Sequence, residues 1–244
     1  MEWELVHKLD DILRPYAMEV HPFKVSWYNE CVNPHFRFTH HPDTLCFVAL
    51  STPSTFEKAF LPFVLSSEGS KLKDPFDECM TQCFSKVKQL FPEEFVEIIQ
   101  DFELHPNRRP KALMQPAAHV AGAAFYYSSK GVELQDVSPK DKKLMGACIH
   151  PKYGGWFAIR AVLLFPEVQV PHLEQRHPVD VLQTYDRKME LLKLFNFSWR
   201  DGRYRDVIEV HERYSERQQE YFSAVPAQRW TLIEKWRREI RNVA

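Results

Sequence analysis

Glycine is scarce in this chain, with seven residues in 244. A chain this poor in glycine keeps it where the backbone needs a positive φ or a close approach. Long apolar runs are missing as well; no stretch nears the roughly 20 residues that cross a bilayer. Acidic and basic residues almost cancel, 33 against 32. That removes the basic surplus expected of a nucleic-acid or membrane-surface protein. The opening Met1-Glu2-Trp3-Glu4-Leu5-Val6-His7 is acidic and amphipathic, unlike a secretory signal or an Arg-rich transit peptide. Cysteines are few and odd in number: Cys31, Cys46, Cys79, Cys83 and Cys148, with no CxxC pair. A disulfide framework is therefore not expected, and a reduced cytoplasmic setting is. Cys79 and Cys83, four apart, read as two small core residues on one helix face.

Catalytic signatures are lacking too. There is no GxGxxG, GxxxxGK[ST], HExxH or GxSxG. Eleven histidines, including the His40-His41 pair, show no zinc-type spacing, so no protein-held metal is expected.

What is present suffices for a full core: 44% hydrophobic and 14% aromatic residues. No linker divides the chain, so residues 1–244 read as one α+β domain with a helical C-terminal extension from about 182. Helices are expected over Glu2–Leu13, Thr55–Leu65, Asp77–Leu90, Pro116–Tyr127, Leu182–Phe195, Ser215–Ser223 and Pro226–Ile240. Strands are expected over Met18–Trp27, Thr44–Leu50 and Phe95–Leu104. Pro166, Pro171 and Pro178 mark 166–178 as loop.

The richest stretch is 146–160, Gly-Ala-Cys-Ile-His-Pro-Lys-Tyr-Gly-Gly-Trp-Phe-Ala-Ile-Arg, with three of the seven glycines. Leu144–Ile149 and Trp156–Phe165 read as two strands of a hairpin within Lys140–Phe165, joined through His150-Pro151-Lys152-Tyr153-Gly154-Gly155. Arg160 interrupts the second strand, and a guanidinium there needs an anionic or hydrogen-bonding partner. For Arg160, Arg205 and Arg229 two readings stand: a site for a molecule with two carboxylates, or salt bridges to Asp201, Asp206 or glutamates. His119 lies in the apolar Ala117-Ala118-His119-Val120-Ala121-Gly122-Ala123-Ala124 segment. It is either a core histidine bonded to backbone or a polar group facing a broad ligand across small side chains. Tyr126 and Tyr127 offer ring faces and hydroxyls, or ordinary packing. Arg108, Arg109 and Lys111, after Asp101, form either a cradle for phosphate or carboxylate or a solvated basic turn.

The Gly154-Gly155-Trp156-Phe157-Ala158-Ile159-Arg160 block resembles the CblC family of vitamin B12 processing proteins. His105-Pro-Asn-Arg-Arg-Pro-Lys111, Ala117–Ala124, Phe195-Asn-Phe-Ser-Trp-Arg-Asp201 and Pro226-Ala-Gln-Arg229 agree with it, in order, from about residue 5 to about 232. The resemblance implies a nitroreductase-like flavin fold, α+β with a mainly antiparallel sheet. It implies that cobalamin binds with its benzimidazole base off cobalt. The upper ligand is then removed by glutathione-dependent dealkylation, or by reductive decyanation with electrons from FMN or FAD in an NADP-linked system. The Asp-x-His-x-x-Gly motif that supplies a histidine to cobalt in many B12 enzymes is missing.

Carried over residue by residue, the family's cobalamin contacts fall on Asp101, Leu113, Gln115, Tyr126, Tyr127, Cys148 and Ile159, with His119 and Gly146 in the same blocks. Ala112, Met114 and Ser128 stand at pocket positions but depart from the family residues. The glutathione arginines fall on Arg160, Arg205 and Arg229, with the helices from about 182 completing that site. Cys148 would be pocket wall, and no protein nucleophile is implied because the thiolate comes from glutathione. Gly202-Arg203 replaces a Trp-Thr pair, and the chain ends at Ala244 without the Pro- and Ser-rich tail some members carry, a tail expected to be dispensable for chemistry. The implied partners are a CblD-type protein and the methionine synthase system, with the chain a monomer or weak homodimer. A chaperone with little turnover, and a flavin reductase indifferent to B12, are the competing readings.

Overall fold

A computed structural model describes residues 2–66, 73–91, 95–128 and 144–241. The chain opens with helix α1 (Glu2–Leu13), ended by Pro15, and strand β1 (Met18–Lys24). Helix α2 (Val25–Cys31), strand β2 (Thr44–Ser51), a π-helical turn (Phe56–Phe60) and α3 (Leu61–Ser66) follow. Next come α4 (Pro75–Leu90), β3 (Glu97–Gln100), α5 (Met114–Val120), β4 (Phe125–Tyr127), β5 (Ala147–Ile149) and β6 (Ala158–Gln169). Helices α6 (Tyr185–Phe197), α7 (Glu216–Ser223) and α8 (Pro226–Arg241) end it.

The main sheet has the order β1-β2-β6-β3, every neighbouring pair antiparallel. The α+β class and antiparallel sheet expected from sequence are what the chain adopts. Strand β2 is apolar from Leu45 to Leu50, and each of its residues, Thr44 and Ser51 included, is buried. Its alternation separates two cores. Leu45, Phe47 and Ala49 face a core with α1, α4, Tyr221 and Trp236, while Cys46, Val48 and Leu50 face one built on α2 and α5. Cys79 and Cys83 lie in the first core as free thiols.

Several boundaries differ from expectation, each for a local reason. The first strand stops at Lys24, because Val25–Cys31 turns helical and buries Val25 and Tyr28. Pro22 is tolerated inside β1 because that strand is an edge. The span 95–104 supplies only Glu97–Gln100 as strand, since the chain turns at Asp101. Helix α5 is short: Gly122, at φ +72°, ends it, and Phe125-Tyr126-Tyr127 becomes a strand. Pro166 is not in a loop but in β6, beyond the last pairing with β3, at Leu164, and within a bulge against β2.

The largest difference concerns the expected hairpin. Leu144–Ile149 and Trp156–Phe165 do not pair with each other; Lys140–Lys143 lie outside the described residues. Strand β5 pairs with β4 in a separate two-stranded sheet, and β6 pairs with β2 and β3. His150 and Gly154 close the connecting loop with hydrogen bonds in both directions, 2.8 and 2.9 Å. The Pro and Gly-Gly signal is thus a turn between two sheets.

Candidate functional site

Arg160 is the second residue after the start of β6, and its partners are close by. Its Nε donates to Ser51 Oγ at 3.1 Å and its Nη1 to Asp101 Oδ2 at 3.2 Å. The guanidinium lies 4.7 Å from the Phe76 ring centre. Its side chain is 12% exposed, and that of Asp101 27%, so this is a largely desolvated ion pair. Burial pushes the Asp101 carboxyl up against the pull of Arg160.

Arg205 comes from the 3₁₀ turn Arg203–Asp206. Its guanidinium lies about equally against Trp156, Tyr204 and Tyr214, at 5.3, 4.9 and 4.9 Å. It also donates to the Gly155 carbonyl. The two glycines of the Gly154-Gly155 pair face this turn: a Cβ on Gly155 would sit 2.8 Å from Arg205 Cα, and one on Gly154 would strike the Arg205 carbonyl. Asp206 holds the wall of the site, accepting from Trp156 Nε1 at 2.8 Å and Arg213 Nε at 2.9 Å.

Arg229, in the first turn of α8, lies 5.1 Å from the Tyr221 ring centre and 5.9 Å from that of Phe222. One run of rings joins the three arginines: Phe76 to Phe222 at 5.1 Å, and Phe222 to Tyr214 at 6.2 Å. In the alternative reading these arginines pair with Asp201 and Asp206, but those two carboxylates are taken by other arginines. Arg203 takes Asp201 and Arg213 takes Asp206. The fold therefore gathers Arg160, Arg205 and Arg229 around a continuous aromatic surface.

Asp77, in the first turn of α4, borders this surface. Burial raises its pKa to about 6, Asp74 and Asp101 push it further in that direction, and Arg160 and Arg229 oppose. The fully buried Tyr221 hydroxyl and Arg229 Nε have no well-formed hydrogen bond. Burial raises the phenol pKa strongly; Arg229 counters from nearby, without the alignment that would satisfy it.

A second group of residues lies around α5, β4 and β5. His119 Nδ1 accepts the Tyr126 amide at 3.1 Å, and its ring meets Phe125 edge-on. Burial lowers the His119 pKa, with His177 adding to it. Gln115 Nε2 donates to the Gly146 carbonyl, and Cys148 Sγ approaches the Gln115 carbonyl at 3.7 Å. Burial holds the Cys148 thiol far above its usual range, so it stays protonated. A Cβ on Gly146 would meet the Tyr126 ring at 2.6 Å, which explains a glycine there. The Tyr127 hydroxyl is committed to Asp180 and the Leu182 amide, so Tyr127 has only its ring to offer. Phe125–Ser128 and Tyr185, Lys188, Met189 and Leu192 of α6 line a groove of about 170 Å³.

Leu113 donates its amide to Tyr28, whose hydroxyl burial raises to about 12. Ala112 is buried; Leu113, Met114 and Ile159 are half-buried against the α5 core. The loop of Arg108, Arg109 and Lys111 is exposed, with Lys111 paired to Glu103 at 2.7 Å. Among the described residues, no three His, Cys, Asp or Glu side chains are placed to hold a metal ion, and no helix is long and apolar enough to cross a membrane.

The family model described as methylmalonic aciduria and homocystinuria type C matches residues 17–233. The chain belongs to that family, CblC. A Gallus gallus relative named cyanocobalamin reductase / alkylcobalamin dealkylase is 54% identical over 233 residues, covering 96% of this chain and 97% of its own. A Homo sapiens relative of the same name is 48% identical, covering 94% and 81%. A crystal structure of a C. elegans B12-trafficking protein CblC superposes with a TM-score of 0.84 at 32% identity, covering 96% of each chain.

Within this CblC chain the two groups of residues are joined by one ion pair. Asp101, expected on the cobalamin side, holds Arg160, expected on the thiol side. Neighbours on β6 divide likewise: Ile159 packs toward α5, and Arg160 faces Phe76. Sequence reasoning missed Phe76, Tyr214, Phe222 and Asp77. Only the aromatic content of the two C-terminal helices' approach, Tyr214, Tyr221 and Phe222, hinted at them.

Proposed function

We propose that this CblC chain is a cobalamin-processing enzyme, a cyanocobalamin reductase and alkylcobalamin dealkylase. The names of its full-length relatives support the activity. The observation that carries the glutathione reading is the gathering of Arg160, Arg205 and Arg229 around the rings of Phe76, Phe222 and Tyr214. Glutathione carries two carboxylates, and guanidinium groups pair with carboxylates in fixed geometry. In this reading residues 1–244 act as one domain of nitroreductase-like type, working in the cytoplasm with a CblD-type partner.

Cobalamin is the substrate, and Asp101, Ala112, Leu113, Met114, Gln115, His119, Tyr126, Tyr127, Ser128, Gly146, Cys148 and Ile159 are assigned to its pocket. Because His119 Nδ1 accepts a backbone amide, its neutral ring carries the proton on Nε2 and presents a donor there. A ring in that state has no lone pair for cobalt, which supports binding without a protein ligand below the metal; base-off binding itself is what the family resemblance implies. The arginines fix the glutathione carboxylates so that the thiolate lies in line with the alkyl carbon. Sulfur forms a bond to that carbon, the carbon–cobalt bond breaks with its electron pair left on cobalt, and a thioether and cob(I)alamin result. The Cys148 thiol stays protonated and takes no part. Decyanation needs electrons, supplied by a reduced FMN or FAD. The exposed Arg108–Lys111 turn, with Lys111 tied to Glu103, does not fit a resident flavin phosphate, so no residue here is assigned to hold one.

An anaerobic visible spectrum with methylcobalamin tests the proposal. A base-off shift on binding, then conversion to cob(I)alamin with glutathione, is the expected result. A shift without conversion would return the chaperone reading, and no shift would reject the pocket.

A further inference from the structure

We propose that Asp77 receives the α-ammonium group of the thiol tripeptide and so selects glutathione over other dicarboxylates. This rests on the glutathione reading above and adds the group that reading leaves without a partner. Glutathione at neutral pH has two carboxylates and one ammonium. Three arginines answer the anions; none can answer the cation.

Four carboxylates border the arginine surface, and three are already occupied. Asp206 accepts from Trp156 and Arg213. Asp101 holds Arg160. Asp74 caps α4, accepting the amides of Phe76 and Asp77 at 3.1 and 3.2 Å. The half-buried Asp77 carboxylate has no hydrogen bond among the described residues, although it sits in the field of both Arg160 and Arg229. It also follows Phe76, the ring under Arg160. An independent observation points to a ligand at the same place. The Tyr221 hydroxyl, on a residue that is 0% exposed, lies in the field of Arg229, Asp74 and Asp77 and lacks a well-formed hydrogen bond, as does Arg229 Nε. Buried polar atoms are seldom left so, and a partner that arrives with a ligand explains them.

Calorimetric binding of glutathione and of N-acetylglutathione to the protein, under anaerobic conditions and without cobalamin, tests this. Unaltered protein should bind glutathione about tenfold more tightly than the acetylated tripeptide, the effect of one charge-assisted hydrogen bond. Asp77→Asn should abolish that difference by weakening glutathione alone. Folding of the variant is checked by its thermal midpoint, which should hold or rise at pH 7. The carboxyl titrates near 6 when folded and about 3.9 when unfolded, so its ionisation works against the fold above pH 4. Equal affinity of unaltered protein for the two tripeptides, or equal weakening of both by Asp77→Asn, overturns the role. Arg160→Ala separates the two levels. If it leaves glutathione affinity unchanged, the glutathione reading falls and Asp77 with it. If it weakens glutathione while Asp77→Asn does not, only the Asp77 role falls.

Discussion

Arg205 and Gly155 are bonded to each other in both directions. The Gly155 amide donates to the Arg205 carbonyl at 2.9 Å, and the Arg205 guanidinium donates to the Gly155 carbonyl. A loop that carries a charged side chain is thereby fixed to the entrance of β6. The contact needs the absence of a Cβ on both glycines, since Gly154 stands at φ +58° and a Cβ on Gly155 would come within 2.8 Å of Arg205 Cα.

Gly154→Ala and Gly155→Ala should therefore displace Arg205. Gly154→Ala adds backbone strain of about 1 kcal/mol or more to the clash, so it is the more destabilising. Gly155→Ala should fold with a lower thermal midpoint and a weakened glutathione Kd. Calorimetry on both variants checks this, and an unchanged glutathione affinity in Gly155→Ala would show that the loop position does not matter.

How much of this could be read from sequence depends on whether the signal is local. Strand β2 and helix α1 were legible because their apolar periods are intact over their whole length. Arg160 was legible as a charge that needs a partner, but not which partner, because Ser51 and Asp101 lie 109 and 59 residues away. The Gly-Gly pair was misread as a hairpin turn: its cause is the close approach of Arg205, fifty residues on, which leaves no trace in the local pattern. Asp77 and Phe76 looked like the ordinary start of a helix. Their role at the arginine surface arises only when α4, α7 and α8 pack together.

Arg160→Lys should fail where a simple charge requirement would let it succeed. Lysine keeps the charge, but its single ammonium cannot reproduce the separate Nε and Nη1 bonds to Ser51 and Asp101 or lie flat on Phe76. Arg160→Ala should cost about 3 kcal/mol, because it leaves the carboxylate of Asp101 largely buried without a counter-charge. Urea denaturation of both variants, with dealkylation rates alongside, gives the comparison. Dealkylation at the unaltered rate in Arg160→Lys would mean that charge alone suffices.

His119 should be neutral with its proton on Nε2 across the physiological range. The Tyr126 amide occupies Nδ1, and burial lowers the ring's pKa. Two-bond nitrogen–proton NMR spectra read the tautomer directly. His119→Ala should leave the Tyr126 amide unpaired at a cost of about 1–3 kcal/mol and loosen β4. A spectrum showing the proton on Nδ1 would remove both the hydrogen bond and the argument that this ring cannot ligate cobalt.

Glu19 should make the fold acid-sensitive. Burial opposes its ionisation, but hydrogen bonding with His150 and His21 and the Tyr153 hydroxyl at 2.7 Å outweigh that and hold its pKa far below the usual carboxylate range. An acid whose pKa is depressed by folding contributes stability above its unfolded value, about 4.3 for glutamate, and loses it as the pH falls toward the folded value. Lys152 pairs with Glu212 at 2.8 Å and also donates to the Tyr153 hydroxyl at 3.2 Å, so it touches Glu19 only through Tyr153. The urea midpoint should therefore decline between pH 5 and pH 3. Glu19→Gln should lower the midpoint at pH 7, and the gap from unaltered protein should narrow as the pH falls from 5 to 3, closing only nearer the folded value. A gap of constant size at pH 7, 5 and 3 would mean that the cluster holds Glu19 by packing rather than by charge, because only an ionisable partner can make the difference vanish in acid.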